Sequence, residues 1–253
     1  MRIPQSTRIT FSANPLAEVI CQIKFPRLLE IEQELPVGFH RMIRKKFPEI
    51  NVRPTVELTF TEPGSQPRQI LTSHYDFATA DSADRISLTS EFVALTSTKY
   101  AGWGSFRDGV LSMLDAAKKV YDISHISRVG LRYRNIIDRA SLGLSNAPWE
   151  DLIRREVMGL AGAGIFQDDE LAELSCTYLA SIERGTVRIN TGLVKRVDTQ
   201  SSGMLIDTDF ATDEKMEAKA DVLTQVLDDY NAKAGNFFRW CITDRLRQAL
   251  GPG

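Results

Sequence analysis

Arg132, Arg134 and Asn135 lie within Ser127-Arg128-Val129-Gly130-Leu131-Arg132-Tyr133-Arg134-Asn135-Ile136-Ile137 and form the polar group with the clearest chemistry in the chain. Residues two apart on an extended strand project to the same face. Arg132 and Arg134 therefore share one face, and Val129, Leu131, Tyr133 and Ile137 share the other. Two guanidinium groups placed this way can fork onto a carboxylate or a phosphate. The competing use is structural, a cross-strand pairing with an acid such as Glu18. Together with Glu18, Lys24 and Arg188, these residues make up the candidate binding set.

The other reactive types are scattered. Asp168-Asp169-Glu170, Asp207-Thr208-Asp209 and Asp213-Glu214 pair carboxylates that can hold Mg²⁺ or divide into acid and base. They read as solvated loops and, for Asp213-Glu214, as charges at a helix N-terminus. His40, His74 and His125 fall in a helix, a strand and a loop, none at metal-ligand spacing. Gly159, Gly162 and Gly164 follow a helix, so they do not make a phosphate loop between a strand and a helix. No metal site, cofactor or catalytic residue is expected. A Cys-His nucleophilic pair stays open, because such sites assemble in space and not in sequence.

The 253 residues are 43% hydrophobic and 25% charged, an ordinary composition for a globular protein with a sizeable core. A formal charge of −2 argues against a protein held to nucleic acid by bulk basicity, while leaving a local patch open. No apolar run approaches the length of a membrane span, and Met1–Thr10 lacks an apolar signal core. Cys21, Cys176 and Cys241 are odd in number and far apart, which reads as reduced core thiols and a cytoplasmic setting.

The elements that must position these residues repeat in order. The first half reads as a strand from Leu16 to Phe25, then a broken helix from Leu28 to Phe47. Strands follow from Val52 to Tyr100, and a helix capped at Ser105-Phe106-Arg107-Asp108 closes the half. The second half reads as the Arg128 strand and a helix from Trp149 to about Leu160. Strands then run at 172–183, 186–194 and 204–210, followed by a long helix from about Lys215. The expected fold class is α+β: a tandem strand-helix-strands-helix repeat forming a curved antiparallel sheet with helices on one face. The repeats are 14–125 and 126–250, together one pseudo-symmetric domain. The face away from the helices collects Glu18, Gln22, Lys24, Arg132, Arg134, Thr177, Ser181, Arg188 and Asn190.

This element order resembles the tandem fold of the TATA-binding protein, without any sequence motif of that protein. At sequence level, Asn14-Pro15-Leu16-Ala17-Glu18-Val19 and Val129-Gly130-Leu131-Arg132-Tyr133-Arg134-Asn135 resemble a sporadically distributed family of uncharacterised bacterial proteins of about this length. Tyr100, Trp103 and Phe106 fit the same pattern. The resemblance brings no catalytic residues with it.

In the last helix Phe237, Phe238, Trp240, Cys241, Ile242 and Leu246 are apolar over more than one helical face. Phe237, Phe238 and Trp240 are therefore candidate interface residues. The expected function is a non-enzymatic binding or adaptor module that takes a protein or ligand on its open sheet face or terminal helix, with a protein partner or self-association foremost. Nucleic-acid binding by the concave sheet and an enzyme with a site at the repeat interface remain alternatives.

Overall fold

The computed structural model describes residues 3–59, 68–166, 170–195 and 202–253, with the backbone alone at 55–59 and 68–72. The chain runs β1 (Leu16–Lys24), α1 (Glu30–Gln33), α2 (Val37–Ile43), β2 (Glu49–Thr59), β3 (Arg68–Ala78), β4 (Asp84–Leu88), β5 (Phe92–Ser97) and α3 (Trp103–Tyr121). It continues through β6 (His125–Ile126), β7 (Arg128–Asp138), β8 (Ser175–Ile182), β9 (Gly185–Lys195), β10 (Ser202–Thr212), β11 (Met216–Glu217), α4 (Ala220–Cys241) and α5 (Asp244–Ala249). The fold is α+β. A nine-stranded antiparallel sheet has the order β2-β3-β4-β5-β1-β7-β10-β9-β8, and β6 and β11 form a separate pair. The chain divides into two compact units. Unit 1 is 1–19, 131–212 and 226–253; unit 2 is 20–130 and 213–225. The proposed repeat boundaries of 14–125 and 126–250 rest on element order.

In unit 2, α2 and α3 cover the sheet face that carries Phe77, Ile86 and Leu95. The Phe39 ring of α2 packs tilted against Phe77, with the centroids 5.7 Å apart, and Phe77, Ile86 and Leu95 are opposite one another in register. The apolar stripe of α3 at Phe106, Val110, Met113, Leu114 and Ala117 is buried, as its 3.6-residue spacing requires. In unit 1, α4 covers β10: the Phe210 and Tyr230 rings lie 5.6 Å apart. Val226, Leu227, Ala234, Phe237 and Cys241 complete the buried stripe of that helix.

Several local expectations need correction. The break expected within Leu28–Phe47 is real: it falls between α1 and α2, with Pro36 just ahead of α2. α3 starts at Trp103 behind Gly102, whose φ of 141° suits glycine, so Ser105 lies inside the helix and is no cap. The stretch from Trp149 is not an α-helix but three 3₁₀ turns, Trp149–Asp151, Arg155–Val157 and Gly159–Ala163. Its backbone is engaged elsewhere: Arg154 N–H donates to the Cys241 carbonyl at 2.8 Å, and Thr243 N–H donates to the Leu152 carbonyl at 2.9 Å. Asp213 and Glu214 precede β11 and do not cap α4, which begins at Ala220. The predicted terminal helix also ends sooner. Thr243 accepts from Leu246 N–H and starts α5 afresh.

Candidate functional site: a polar row and an uncharged strand edge

In unit 1, β7 alternates as its sequence predicts, with Leu131, Tyr133 and Ile137 buried and Arg132 and Arg134 half-buried on the opposite face. Both arginines meet carboxylates. Arg132 Nε and a terminal nitrogen donate to the two oxygens of Asp207 at 2.8 and 2.6 Å, and Arg134 donates to Glu18 at 2.9 Å. Asp207, in concert with Asp209 and Glu18, raises the Arg132 pKa further, against the opposing effect of burial. Beyond Asp207 the row continues strand by strand: Asn190 of β9 donates to Asp207 at 3.4 Å, and Thr177 of β8 donates to Asn190 at 3.0 Å. The register places Thr177 opposite Asn190 and Asn190 opposite Asp207, so one polar line crosses β8, β9, β10 and β7.

The other predicted site residues are placed as follows. Asn135 does not join the arginines. It lies two residues from both Tyr133 and Ile137, so strand periodicity turns it to the helix face, where it is buried and donates to the Ile206 carbonyl at 3.3 Å. Arg188 is exposed and directly opposite Asp209. Lys24 ends β1 in unit 2, its carbonyl accepting from Ser127 N–H at 2.8 Å. Asp207 lies in a strand as the 204–210 reading expects, but it is not the solvated acid expected, being only 2% exposed. Asp168 and Asp169 lie outside the described residues.

Phe237, Phe238 and Trp240 find neighbours in their own unit. Phe237 is buried and stacks with Trp240 at 5.9 Å. Phe238 takes the edge of Phe11 at 6.2 Å, and the Arg154 guanidinium lies 5.6 Å from the Trp240 ring. Phe238 and Trp240 stay half-exposed.

A second polar cluster, in unit 2, escaped the sequence reading. Asp76 of β3 is 6% exposed; it pairs with Arg53 and accepts from Ser87 Oγ at 2.5 Å, with Arg85 at 3.8 Å. The His74 ring nitrogen lies 3.3 Å from Asp76 but out of line for a hydrogen bond. Its signal was there in the i, i+2 spacing of His74 with Asp76 and of Arg85 with Ser87. Three free thiols remain, Cys21 and Cys241 buried and Cys176 half-buried on β8. Unit 1 also has an open cleft of about 840 Å³, whose lining includes Arg139, Asn146, Glu150, Phe166 and Ser202. Among the described residues no group of His, Cys, Asp and Glu is arranged to hold a metal, and no helix is long and apolar enough to cross a membrane.

Among the described residues of unit 1, β8 leaves its outer edge without an internal use. It is an outermost strand, and Thr177, Tyr178, Leu179, Ala180 and Ser181 are all exposed, Tyr178 to 48% and Leu179 to 62%. Among the described residues of unit 1, the other exposed large apolar side chains are Leu160, Ile165 and Phe166. The first belongs to the 3₁₀ turn whose Gly159 lies against Cys176 of β8, where an added Cβ would come within 2.8 Å of the sulfur. The hairpin holding β8 is firmly set. Gly185 has φ 91°, and a Cβ there would fall 2.0 Å from the Ala211 carbonyl oxygen, while Tyr230 OH donates to the Arg184 carbonyl at 2.7 Å. The result is a strand edge that pairs with no further strand among the described residues and carries uncharged side chains.

No family model and no curated protein matches the chain.

Proposed function

We propose that this chain is a cytoplasmic, non-enzymatic binding module that takes a polypeptide partner at the β8 edge of unit 1. The observation that carries the reading is the exposure of an uncharged eight-residue edge strand, SCTYLASI, beside Leu160. An added strand completes such an edge through its main chain, and alternate side chains supply specificity. The three thiols without disulfides support the cytoplasmic setting. Nucleic acid on the polar face has less support, since Arg132 and Arg134 are each held by a carboxylate and Arg188 stands opposite Asp209.

Site-specific photocross-linking in cells tests this. A photoreactive residue at position 179 should give a discrete adduct, and one at the exposed position 244 on α5 should not. Equal labelling from both positions, or none from 179, would overturn the reading.

A further inference from the structure

We infer that the occupant of the β8 edge is a second copy of this chain, joined by antiparallel β8–β8 pairing across a two-fold axis. This inference rests on the proposal that β8 is the binding edge.

The two outermost strands differ in how they discourage pairing. β2 carries Glu49, Arg53 and Pro54, charges and a proline that block strand addition. β8 carries neither a charge nor a proline from Ser175 to Ile182. An uncharged edge meets its own copy without like charges facing each other.

Parity then narrows the register. Directly opposed residues of an antiparallel pair share a face, so the helix-facing sides of two copies align only when the two-fold passes through a residue position. Registers centred on Tyr178 or Leu179 keep nearly all of the strand paired. Centring on Tyr178 stacks that ring on itself and brings Glu173 opposite Glu183. Centring on Leu179 avoids this clash. It places Leu179 against Leu179, Thr177 against Ser181, and the large Tyr178 against the small Ala180, twice by symmetry. The β8 sequence is thus complementary to itself in one register, and the two-fold closes the edge that an open pairing would leave growing.

Sedimentation equilibrium of the full chain between about 1 µM and 0.5 mM, the range of weak specific association, should show a species of twice 28.4 kDa. Leu179→Lys should weaken dimerisation about tenfold or more, because it sets two ammonium groups face to face. Since Leu179 is 62% exposed, the melting temperature of the monomeric variant should match that of the parent. Under mild oxidation, with Cys176 replaced by serine, Leu179→Cys should form a dimer-linking disulfide and Thr177→Cys should not. A chain that stays monomeric, a dimer indifferent to Leu179→Lys, or preferential linking through Thr177→Cys would overturn the inference. A monomer that nevertheless cross-links from position 179 to a different protein would sink self-association and leave the binding-module proposal standing.

Discussion

Arg132 holds Asp207 by two parallel bonds of 2.8 and 2.6 Å, and Asp207 is almost wholly buried although it points away from the helices of its unit. The pair is thus a structural clamp between β7 and β10 that also anchors Asn190 and Thr177. Replacing Arg132 with leucine strands a buried carboxylate that, among the described residues, keeps the 3.4 Å bond from Asn190. The expected loss is about 2–3 kcal/mol, the scale of hydrogen bonds to a charged group. Asp207→Asn keeps the shape and one acceptor, and should cost about half as much. Urea unfolding of both variants checks the order; a larger loss for Asp207→Asn would contradict it.

His74 makes stability depend on pH. Burial, the largest influence, together with the charges of Arg53 and Arg85, holds its imidazole below the ordinary 6.5, against the opposing pull of Asp76. The unfolded chain takes up this proton as pH falls through 6.5, and the folded chain resists it. The contribution of His74 is therefore fully present above 6.5, is lost as pH drops toward the lower folded value, and is level below that. Urea midpoints for the parent should fall over this window, and His74→Gln should flatten that part of the curve. An unchanged slope in the variant would contradict the assignment.

Thiol accessibility should separate the cysteines. Burial pushes the Cys21 thiol up to about 12 and raises the Cys241 thiol too, outweighing the opposing charge of Arg154. Iodoacetamide at pH near 8 should label Cys176 first, with Cys21 and Cys241 reacting only as the protein unfolds. Mass spectrometry of the peptides decides it, and rapid labelling of Cys21 would show the β1 packing to be wrong.

The N-terminal segment of unit 1 ahead of β1 should matter to the C-terminal helices. Phe11 bridges Pro252 and packs on Phe238, and Ser12 and Ala13 N–H groups donate to the Gly251 and Leu250 carbonyls at 3.0 Å. Phe11→Ala should cost about 1 kcal/mol, the scale of an aromatic pair. It should lower the melting temperature and leave association unchanged. Weakened association at unchanged melting temperature would return this helix to the interface.

Periodicity made much of this architecture legible. The alternation of Val129, Leu131 and Tyr133 and the stripe from Val226 to Cys241 state directly which side is wet, because strand and helix periods are properties of the local backbone. The polar face was legible for the same reason, with Thr177 and Asn190 both assigned to it. What could not be read was pairing at a distance. Nothing local places Asp207 beside Arg132 or turns the Trp149 segment into 3₁₀ turns against Ile242. Asn135 was misplaced by attending to its polarity over its parity. The β8 edge was hidden because a short apolar strand reads the same whether its neighbours cover it or not.

Amide hydrogen exchange across 175–182, with and without the partner that cross-links from position 179, tests the central claim most directly. Strand addition should slow exchange of the outward-pointing β8 amides by about tenfold or more and leave 49–54 of β2 unchanged. Protection confined to the terminal helix or to the Arg132 face, with β8 exchanging as fast as in the free chain, would contradict it.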